Sequence, residues 1–417
     1  MKTELEQFQE KCAAVFRPEL RKNKQIERLR VSKHSTRQCI GGRRDMMEWR
    51  ILQQKDPSMT TSLRTALMSC LAPHLGLSKS RLETLAVFLM ALIHGRTVNL
   101  THAASQFHGT ARHASNYRRL QRFFQYVRLD QGVIALIVVR MLNLSRPKCL
   151  ALDRTNWKVG SKDVNILMLA IVTRRFRVPL LWSVLTHSGN SSSAQRIALM
   201  RRYLALFDAA SIELLLADRE FIGAEWIKFL IENDIPFAIR AKEDQRMALA
   251  DGRLWSLKSL LRTKRARHTT QTLDVFLPGT LIRLRLAARR IKDGEWLIIM
   301  TNSSEPKRAL QAYKRRWAVE CLFADTKTRG FNLEDTRLTN PAKVETLTAL
   351  VTLALTWVYR TASTEMRMAA IKRKSHGRRE KSWFRIGFDA LRNHIIHQPK
   401  NAELAWTTAC PKRFRQT

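Results

Sequence analysis

Residues 148–157 read KCLALDRTNW, a short apolar run that ends on the acid Asp153. Residues 212–221 read IELLLADREF and end in the same way on Asp218. Neither run alternates apolar with polar residues, which is typical of central strands buried on both faces. Because neighbouring strand ends meet at one edge of a mixed sheet, we expect Asp153 and Asp218 to lie close together.

The segments around these two runs predict an α/β fold. Residues 164–186 read as two strands joined by a basic turn near Arg174–Arg177. Residues 192–207 and 223–234 have helical periodicity, and residues 235–242 read as a further strand. The order is therefore three strands, helix, strand, helix, strand.

A third acid, Glu320, stands in the stretch YKRRWAVECLFADTKTRGF, residues 313–331, surrounded by basic residues. We predict one helix from about 306 to 328, on which Tyr313, Arg316, Glu320 and Lys327 share a face, because steps of 3, 4 and 7 return near the same angle. Glu320 either balances charge on a solvated helix face or holds a metal ion while its basic neighbours hold phosphate groups.

The three acids together suit metal chemistry. Three carboxylates from separate elements make an oxygen-rich site for Mg²⁺ or Mn²⁺, and two such ions can promote phosphodiester cleavage. Taken singly, an Asp at a strand end is more often a turn or cap residue. Three acids in this order, in so basic a chain, favour the metal site.

Net charge indicates the class of partner. The 417 residues hold 74 Lys and Arg against 35 Asp and Glu, a formal charge of +39. This favours a polyanion; a ribosome-bound or membrane-surface protein is the less specific alternative. The first residues lack the apolar run of a signal peptide, and the six cysteines form no C-x-x-C zinc pattern. We therefore expect a cytoplasmic protein with free thiols and no membrane association.

The helical region before the sheet suggests DNA contact. Residues 63–145 predict several helices, among them ASNYRRLQRFFQYV, residues 114–127, with Arg118, Arg119 and Arg122 on the polar face. Helix, turn, helix and a basic helix can dock on DNA. A helical bundle with a solvated arginine face is an equally good interpretation of the pattern alone.

The remaining boundaries follow from changes of pattern. Residues 1–58 have no clear periodicity beyond a possible helix at 2–16, and we expect the functional chain to begin at Met59 with the upstream part a read-through extension. The divisions are then a helical domain at 59–145, a first core part at 146–245, a β-rich insertion at 246–300, a second core part at 301–345 and a basic helical region at 346–417. The last includes a predicted basic helical tail at 371–391 and a possible dimerisation surface.

The spacing Tyr313-x2-Arg316-x3-Glu320-x6-Lys327 resembles the signature of bacterial insertion-sequence transposases of the DDE class, in the "family four" group. LALDRTNW (150–157) and LLADREFIG (215–223) resemble that group's two aspartate motifs, and SNYRRLQRFF (115–124) and SHGRREKSWFRIGFDAL (375–391) resemble flanking blocks. The likeness covers roughly residues 63–395.

The resemblance implies a ribonuclease H-like catalytic core in which Asp153, Asp218 and Glu320 bind two Mg²⁺ ions. It implies that Tyr313, Arg316 and Lys327 hold transposon-end DNA, and that Trp296 in the β-rich insertion stacks on a flipped base. A core role for Trp296 is an equal alternative.

The same resemblance implies a DNA transposase that acts as a homodimer across two terminal inverted repeats, cuts by way of a hairpin and joins the ends to target DNA. It would work in the bacterial cytoplasm, associated with the nucleoid. A catalytically inactive DNA-binding regulator, a nuclease without strand transfer and an RNA-binding protein are the alternatives. Arg219 and Glu220 are expected beside the site, and Asn156 and Trp157 are expected to shape a turn.

Overall fold

The computed structural model describes residues 57–107, 110–144, 149–261, 270–291, 294–367, 369–375 and 377–410, with side chains from residue 61 onward. Over these ranges helices pack on both sides of one ten-stranded mixed sheet, so the predicted α/β class is confirmed. The possible helix at 2–16 and the rest of the segment up to residue 56 lie outside the described residues.

Helices precede the first strand, as the periodicity of residues 63–145 predicts. Asn99 caps one of them, since its side chain accepts a hydrogen bond from the Thr101 N–H at 3.0 Å. The first helix already includes Met59, the expected start of the functional chain. The helices are α1 (Pro57–Leu75), α2 (Lys79–Gly95), α3 (Leu100–Ala104), α4 (His113–Tyr126) and α5 (Gln131–Met141).

The sheet has the spatial order β3-β2-β1-β4-β5-β10-β9-β8-β6-β7. β1 pairs parallel with β4, and β4 pairs parallel with β5, whereas the other neighbours are antiparallel. The strands are β1 (Cys149–Val159), β2 (Lys162–Val172), β3 (Arg177–Leu185), β4 (Leu214–Ala217), β5 (Phe237–Ala241), β6 (Arg246–Ala248), β7 (Leu254–Ser256), β8 (Gln271–Phe276), β9 (Arg283–Arg290) and β10 (Trp296–Thr301).

Two helices lie where the sequence predicts them, one between β3 and β4 and one between the parallel strands β4 and β5. α6 (Ser193–Leu204) begins with a capping box between Ser192 and Gln195. α7 (Ala224–Glu232) buries Trp226 and Leu230 against the sheet. Both helices therefore cover the face that holds the second of the two core clusters.

Among the described residues of the 246–300 segment the chain forms the strands β6 to β10 and one short helix, α8 (Leu257–Leu260). Its last strand, β10, pairs directly with β5, for instance Thr301 with Ala238. The segment therefore extends the central sheet.

The predicted single helix from 306 to 328 is wrong in one respect. It is divided into α9 (Pro306–Tyr313), a 3₁₀ turn (Lys314–Arg316) and α10 (Trp317–Thr326). The tighter turn changes the angle between successive side chains, so the four signature residues do not follow one regular helical face.

Three helices complete the described chain. α11 (Pro341–Met366) is buried along most of its length. The predicted basic helix at 371–391 is wrong in its first half, because α12 (Trp383–His397) begins only after the run of like charges and is capped by Ser382. α13 (Pro399–Thr407) follows. Among the described helices, none is long and apolar enough to cross a membrane.

Candidate active site around three acids

Asp153 and Asp218 are placed side by side by the pairing of β1 with β4. The last parallel pair of these strands is Leu152 with Ala217, and each acid is the next residue in its chain. Asp153 does not end β1 as predicted, since β1 continues to Val159 while paired with β2. It lies instead where β1 separates from β4, which opens space for a ligand.

Glu320 joins the two aspartates through Arg316. The Arg316 guanidinium lies 3.4 Å from Asp153 Oδ2, 3.0 Å from Asp218 Oδ2 and 3.1 Å from Glu320 Oε1. The 3₁₀ turn that ends at Arg316 and the first turn of α10 that holds Glu320 supply this arrangement. The structure thus brings the three predicted acids together around one cation, and the Arg316–Glu320 pair is also the i,i+4 contact expected of a charged helix face.

Tyr313 and Lys327 flank the acids at different places. The buried Tyr313 hydroxyl donates a hydrogen bond to Asp218 Oδ1 at 3.3 Å. Lys327 follows α10, pairs with Glu334 at 2.7 Å, and donates to the Asn156 carbonyl oxygen at 3.3 Å. Its ammonium also lies 5.9 Å from the centre of the Trp157 ring. Tyr313 therefore contacts the acid cluster, whereas Lys327 borders β1 a few residues beyond Asp153.

Asn156 and Trp157 do not form the turn that the sequence suggests. Both belong to β1, where Asn156 pairs with Asn165 and Trp157 pairs with Val164 of β2. The strand continues because β2 supplies partners for the backbone along its whole length. These two residues extend the floor of the site toward Lys327.

The electrostatic environments of the two aspartates differ. Burial raises the pKa of Asp153 to about 7, although Arg316 and the Arg154 N–H favour the ionised form. Burial also acts on Asp218, but Arg316, the Arg219 N–H and other donors outweigh it and lower the pKa of that carboxyl. Two carboxylates in one cluster therefore hold protons with different strength.

The donor chemistry of the three acids, but not their present spacing, fits a divalent metal ion. With the guanidinium between the acids, no group of three His, Cys, Asp or Glu side chains in the described part of the chain has metal-ligand spacing. The donors that face Arg316 are all carboxylate oxygens, the ligands that Mg²⁺ and Mn²⁺ prefer. A cation already binds this point, so a metal ion would compete with Arg316 for the same oxygens.

A support network behind the acids is absent from the sequence-based prediction. Arg154 pairs with Glu220 at 3.3 Å and donates to Asn165 Oδ1 at 3.1 Å. The buried Arg196 of α6 donates to the Glu220 carbonyl oxygen at 3.0 Å and stacks on Phe221. In the sequence, only the positions of Arg154 and Glu220 beside the two aspartates could have indicated this network. No sequence feature of Arg196 indicated that it belongs to it.

Trp296 lies in β10 and is 3% exposed, within the core cluster on the α6–α7 face of the sheet. Its backbone N–H donates to Glu243 Oε1 at 2.9 Å, and the Arg290 guanidinium lies 5.3 Å from its ring centre. It also lines a cavity of about 520 Å³ together with Arg219 and Arg240. This burial favours the core interpretation, while the cavity places the residue close to the chain that follows Asp218.

The three arginines of α4 divide into two sets. Arg119 binds Glu83 at 2.8 Å and the Thr84 hydroxyl at 2.8 Å, so it does not stand on a solvated face as predicted. Arg118 and Arg122 are exposed and line a cavity of about 580 Å³. The turn of α4 explains the difference, since Arg119 faces α2.

Comparison with known proteins adds one family match. Residues 144–357, slightly more than half of the chain, match the family model described as "Transposase DDE domain". The matched range includes Asp153, Asp218 and Glu320. A search of curated proteins found no match.

Proposed function

The chain belongs to the transposase DDE domain family, and we propose that it is a DNA transposase of the "family four" insertion-sequence group whose active site is Asp153, Asp218 and Glu320. The convergence of these acids on the Arg316 guanidinium is the observation that carries the proposal. The signature spacing of Tyr313, Arg316, Glu320 and Lys327 supports the narrower group assignment.

We also propose a ribonuclease H-like core. The order β3-β2-β1-β4-β5, with β1, β4 and β5 parallel and β2 antiparallel to its neighbours, supports it. In this arrangement the first two acids each follow the parallel-paired part of β1 and β4, and the third comes from a helix that packs over the same end of these strands.

Asp153, Asp218 and Glu320 would hold the divalent cations. When bound, Mg²⁺ or Mn²⁺, as two ions in the proposed site, supplies Lewis-acid activation of the attacking oxygen and stabilises the leaving oxygen. The unequal proton affinities of Asp153 and Asp218 mean that Asp153 must release its proton to contribute a full charge.

The basic and phenolic residues act on the DNA. Arg316, once displaced from the acids, can donate two parallel N–H groups to a phosphate. The Tyr313 hydroxyl can redirect its hydrogen bond from Asp218 to a phosphate oxygen. Lys327 supplies a compact charge on the Asn156–Trp157 side of the site. These residues would position transposon-end DNA close to the acids.

The proposed reaction cuts and pastes DNA. Water attacks one strand at the transposon end, and the freed 3′-hydroxyl then attacks the opposite strand to form a hairpin. A second water reopens the hairpin, and the 3′-hydroxyl joins target DNA. No covalent bond to the protein is needed. To stack on the base flipped at the hairpin, Trp296 would have to leave the buried position that it occupies in β10. Two copies of the chain would act across two inverted repeats in the bacterial cytoplasm, at the nucleoid.

A cleavage assay tests the proposal. A labelled duplex that carries the element's own end is incubated with Mg²⁺ and wild-type protein, and a scrambled end serves as the control substrate. Nicks and hairpins at the true end, lost in Asp218→Asn, are expected. Absence of any cut despite specific binding would contradict catalysis.

A catalytically inactive DNA-binding regulator is the second candidate, because Arg316 already forms an ion pair with each of the three acids. Such a protein would bind the same ends and would show no change in thermal stability with Mg²⁺. The cleavage assay and a melting curve with and without Mg²⁺ separate the two functions.

A further inference from the structure

The third acid lies on a short helix whose other charged residue is at the opposite end. α10 carries two charged side chains, Glu320 in its first turn and Asp325 in its last. The Glu320 side chain is 42% exposed, whereas that of Asp325 is 3% exposed. Val319 and Leu322 bury α10 in the core, but apolar contacts have no preferred direction. Directional contacts elsewhere on α10 must therefore set where Glu320 points.

A buried ion pair joins the far end of α10 to the sheet. Arg177, the first residue of β3, donates from Nε to Asp325 Oδ2 at 2.8 Å. In the order β3-β2-β1, this strand lies two places from β1, which carries Asp153. The Arg177–Asp325 pair thus connects the edge strand of the sheet to the helix that carries the third acid.

Both partners of the Arg177–Asp325 pair are fixed by their own surroundings. Arg177 belongs to the β2–β3 ladder, and the ring of the preceding residue, Phe176, lies 5.7 Å from that of the buried Tyr359. On the other side, a Cβ atom added to Gly330 would lie 2.0 Å from the Asp325 carbonyl oxygen. The chain after α10 therefore packs directly on Asp325, at an approach that only glycine allows.

The ionic contact at the near end of α10 conflicts with metal binding. Arg316 binds Glu320 and both aspartates, and a metal ion would compete with it for the same oxygens. The Arg177–Asp325 pair uses none of these groups, so it still joins α10 to the sheet when Arg316 leaves. Residues that orient a metal ligand from behind commonly set how well the metal binds.

We propose that Arg177 and Asp325 are positioning residues that hold Glu320 in its place beside the two aspartates. They act through α10 and do not touch the acids. The inference rests on the proposed function for the metal ion, whereas the coupling of this pair to Arg316 can be measured without one. A purely structural ion pair would stabilise the fold and leave the geometry of the three acids unchanged.

The double variant Arg177→Met, Asp325→Leu, here called the apolar-pair variant, separates positioning from stability. Replacement of both members of a buried ion pair by apolar side chains often preserves stability, but it removes the directional contact. The single variant Asp325→Asn should melt at a lower temperature, because Arg177 loses its charged partner.

The first measurement is a double-mutant cycle in chelator, followed by denaturant unfolding. Arg316→Gln is introduced into the wild type, the apolar-pair variant and Asp325→Asn. Where the pair is lost, Arg316 already contacts the acids less well, so Arg316→Gln should lower the unfolding midpoint by no more than about half of its effect in the wild type. Equal decreases in all three backgrounds would overturn the positioning role.

A matched control breaks ion pairs on another helix. Glu83→Gln in α2 removes the partner of Arg64 and Arg119. It should lower stability while leaving the effect of Arg316→Gln at its wild-type size. A reduced effect in this control as well would attribute the coupling to general destabilisation and overturn the inference.

The second measurement titrates Mn²⁺ into protein without DNA and follows the electron paramagnetic resonance signal of the free ion. The dissociation constant should rise about tenfold in the apolar-pair variant, as is common when a residue that orients a metal ligand is lost. It should stay at the wild-type value in Glu83→Gln. An unchanged constant in an apolar-pair variant that melts close to wild type would contradict positioning.

The two measurements keep this inference distinct from the proposed function. If the cycle shows coupling and the wild type binds no Mn²⁺, the metal role of the acids falls and the positioning of Glu320 stands. If the wild type binds Mn²⁺ and cuts DNA while the apolar-pair variant matches it in both measurements, positioning falls and the transposase assignment stands. If the wild type neither binds Mn²⁺ nor responds to Arg316→Gln, the acids share no site and the inference falls with them.

Discussion

Arg154 and Glu220 form a two-point ion pair that joins the residue after Asp153 to the turn after Asp218. Arg154 Nε lies 3.3 Å from Glu220 Oε1 and Nη2 lies 3.3 Å from Oε2. The Arg154 N–H also donates to Asp153 Oδ1 at 2.8 Å. The pair therefore links the two acid-bearing segments by a contact that does not itself use either acid.

Breaking the Arg154–Glu220 pair should lower the free energy of unfolding and should also disturb the positions of the two aspartates. Both side chains are mostly buried, with 15% and 24% exposed, so Glu220→Ala should lower the free energy of unfolding by roughly 1–3 kcal/mol, because Arg154 is left partly unpaired. Denaturant titration measures this. Glu232→Ala, which breaks the exposed Lys228–Glu232 pair, should cost less than about 1 kcal/mol.

The charge-swapped variant Arg154→Glu, Glu220→Arg tests positioning more directly than either single change. The single variants should lose unfolding free energy and should need more Mg²⁺ for DNA cleavage. The charge-swapped variant should recover part of both losses. Equal defects in the swap and in the singles would mean that the pair has no specific coupling to the site.

The protonation of Asp153 predicts a dependence of stability on pH. Burial raises its pKa to about 7, whereas the unfolded chain ionises near about 3.9. Between these values the folded chain holds a proton that the unfolded chain has released, so the stabilising contribution is complete below about pH 4 and is lost as pH rises through about 7.

The measurement compares wild type with Asp153→Asn in metal-free buffer. Relative to the variant, the wild type should lose roughly 2–3 kcal/mol of unfolding free energy between pH 5 and pH 8. Parallel pH curves for the two proteins would show that Asp153 does not titrate in this range.

Arg316 should compete with metal ions for the acids. In Arg316→Gln the three carboxylates lose their shared cation, so the variant should melt below wild type in chelator. Mg²⁺ should then raise its melting temperature more than that of the wild type, because binding no longer displaces a guanidinium. Lys314→Gln, an exposed neighbour, is the control; an identical response of all three proteins to Mg²⁺ would contradict competition.

Trp296 can be tested without emptying the core. Truncation to alanine at a buried site would cost roughly 3–5 kcal/mol, so Trp296→Phe is the better variant. If Trp296 stacks on a base, the first nick should proceed near the wild-type rate and hairpin formation should slow. Equal changes in both steps would leave Trp296 a core residue.

The apolar patterns of the sequence are sufficient to predict the central sheet and several helix ends. Runs that end on Asp153 and Asp218 are buried on both faces, and Ser192 and Asn99 cap helices through local hydrogen bonds. These features depend on neighbouring residues alone, which is why one sequence is enough to predict them.

Other features depend on contacts between distant segments. The 3₁₀ turn that ends at Arg316 places its guanidinium among three acids, and no periodicity encodes that interruption. Arg119 turns toward Glu83, and β10 joins β5, through partners that lie far away in the sequence. The sequence therefore predicts which acids lie together better than it predicts which basic side chains pair with acids in the fold.

Iron-directed cleavage of the protein backbone tests most directly whether the three acids form one metal site. Fe²⁺ takes the place of Mg²⁺, ascorbate and peroxide generate radicals at the bound ion, and fragments are mapped by mass spectrometry. We predict cuts close to residues 153, 218 and 320 that excess Mg²⁺ suppresses and that Asp218→Asn weakens at all three places. Cuts confined to other segments, or unaffected by Mg²⁺ and by Asp218→Asn, would contradict a shared metal site.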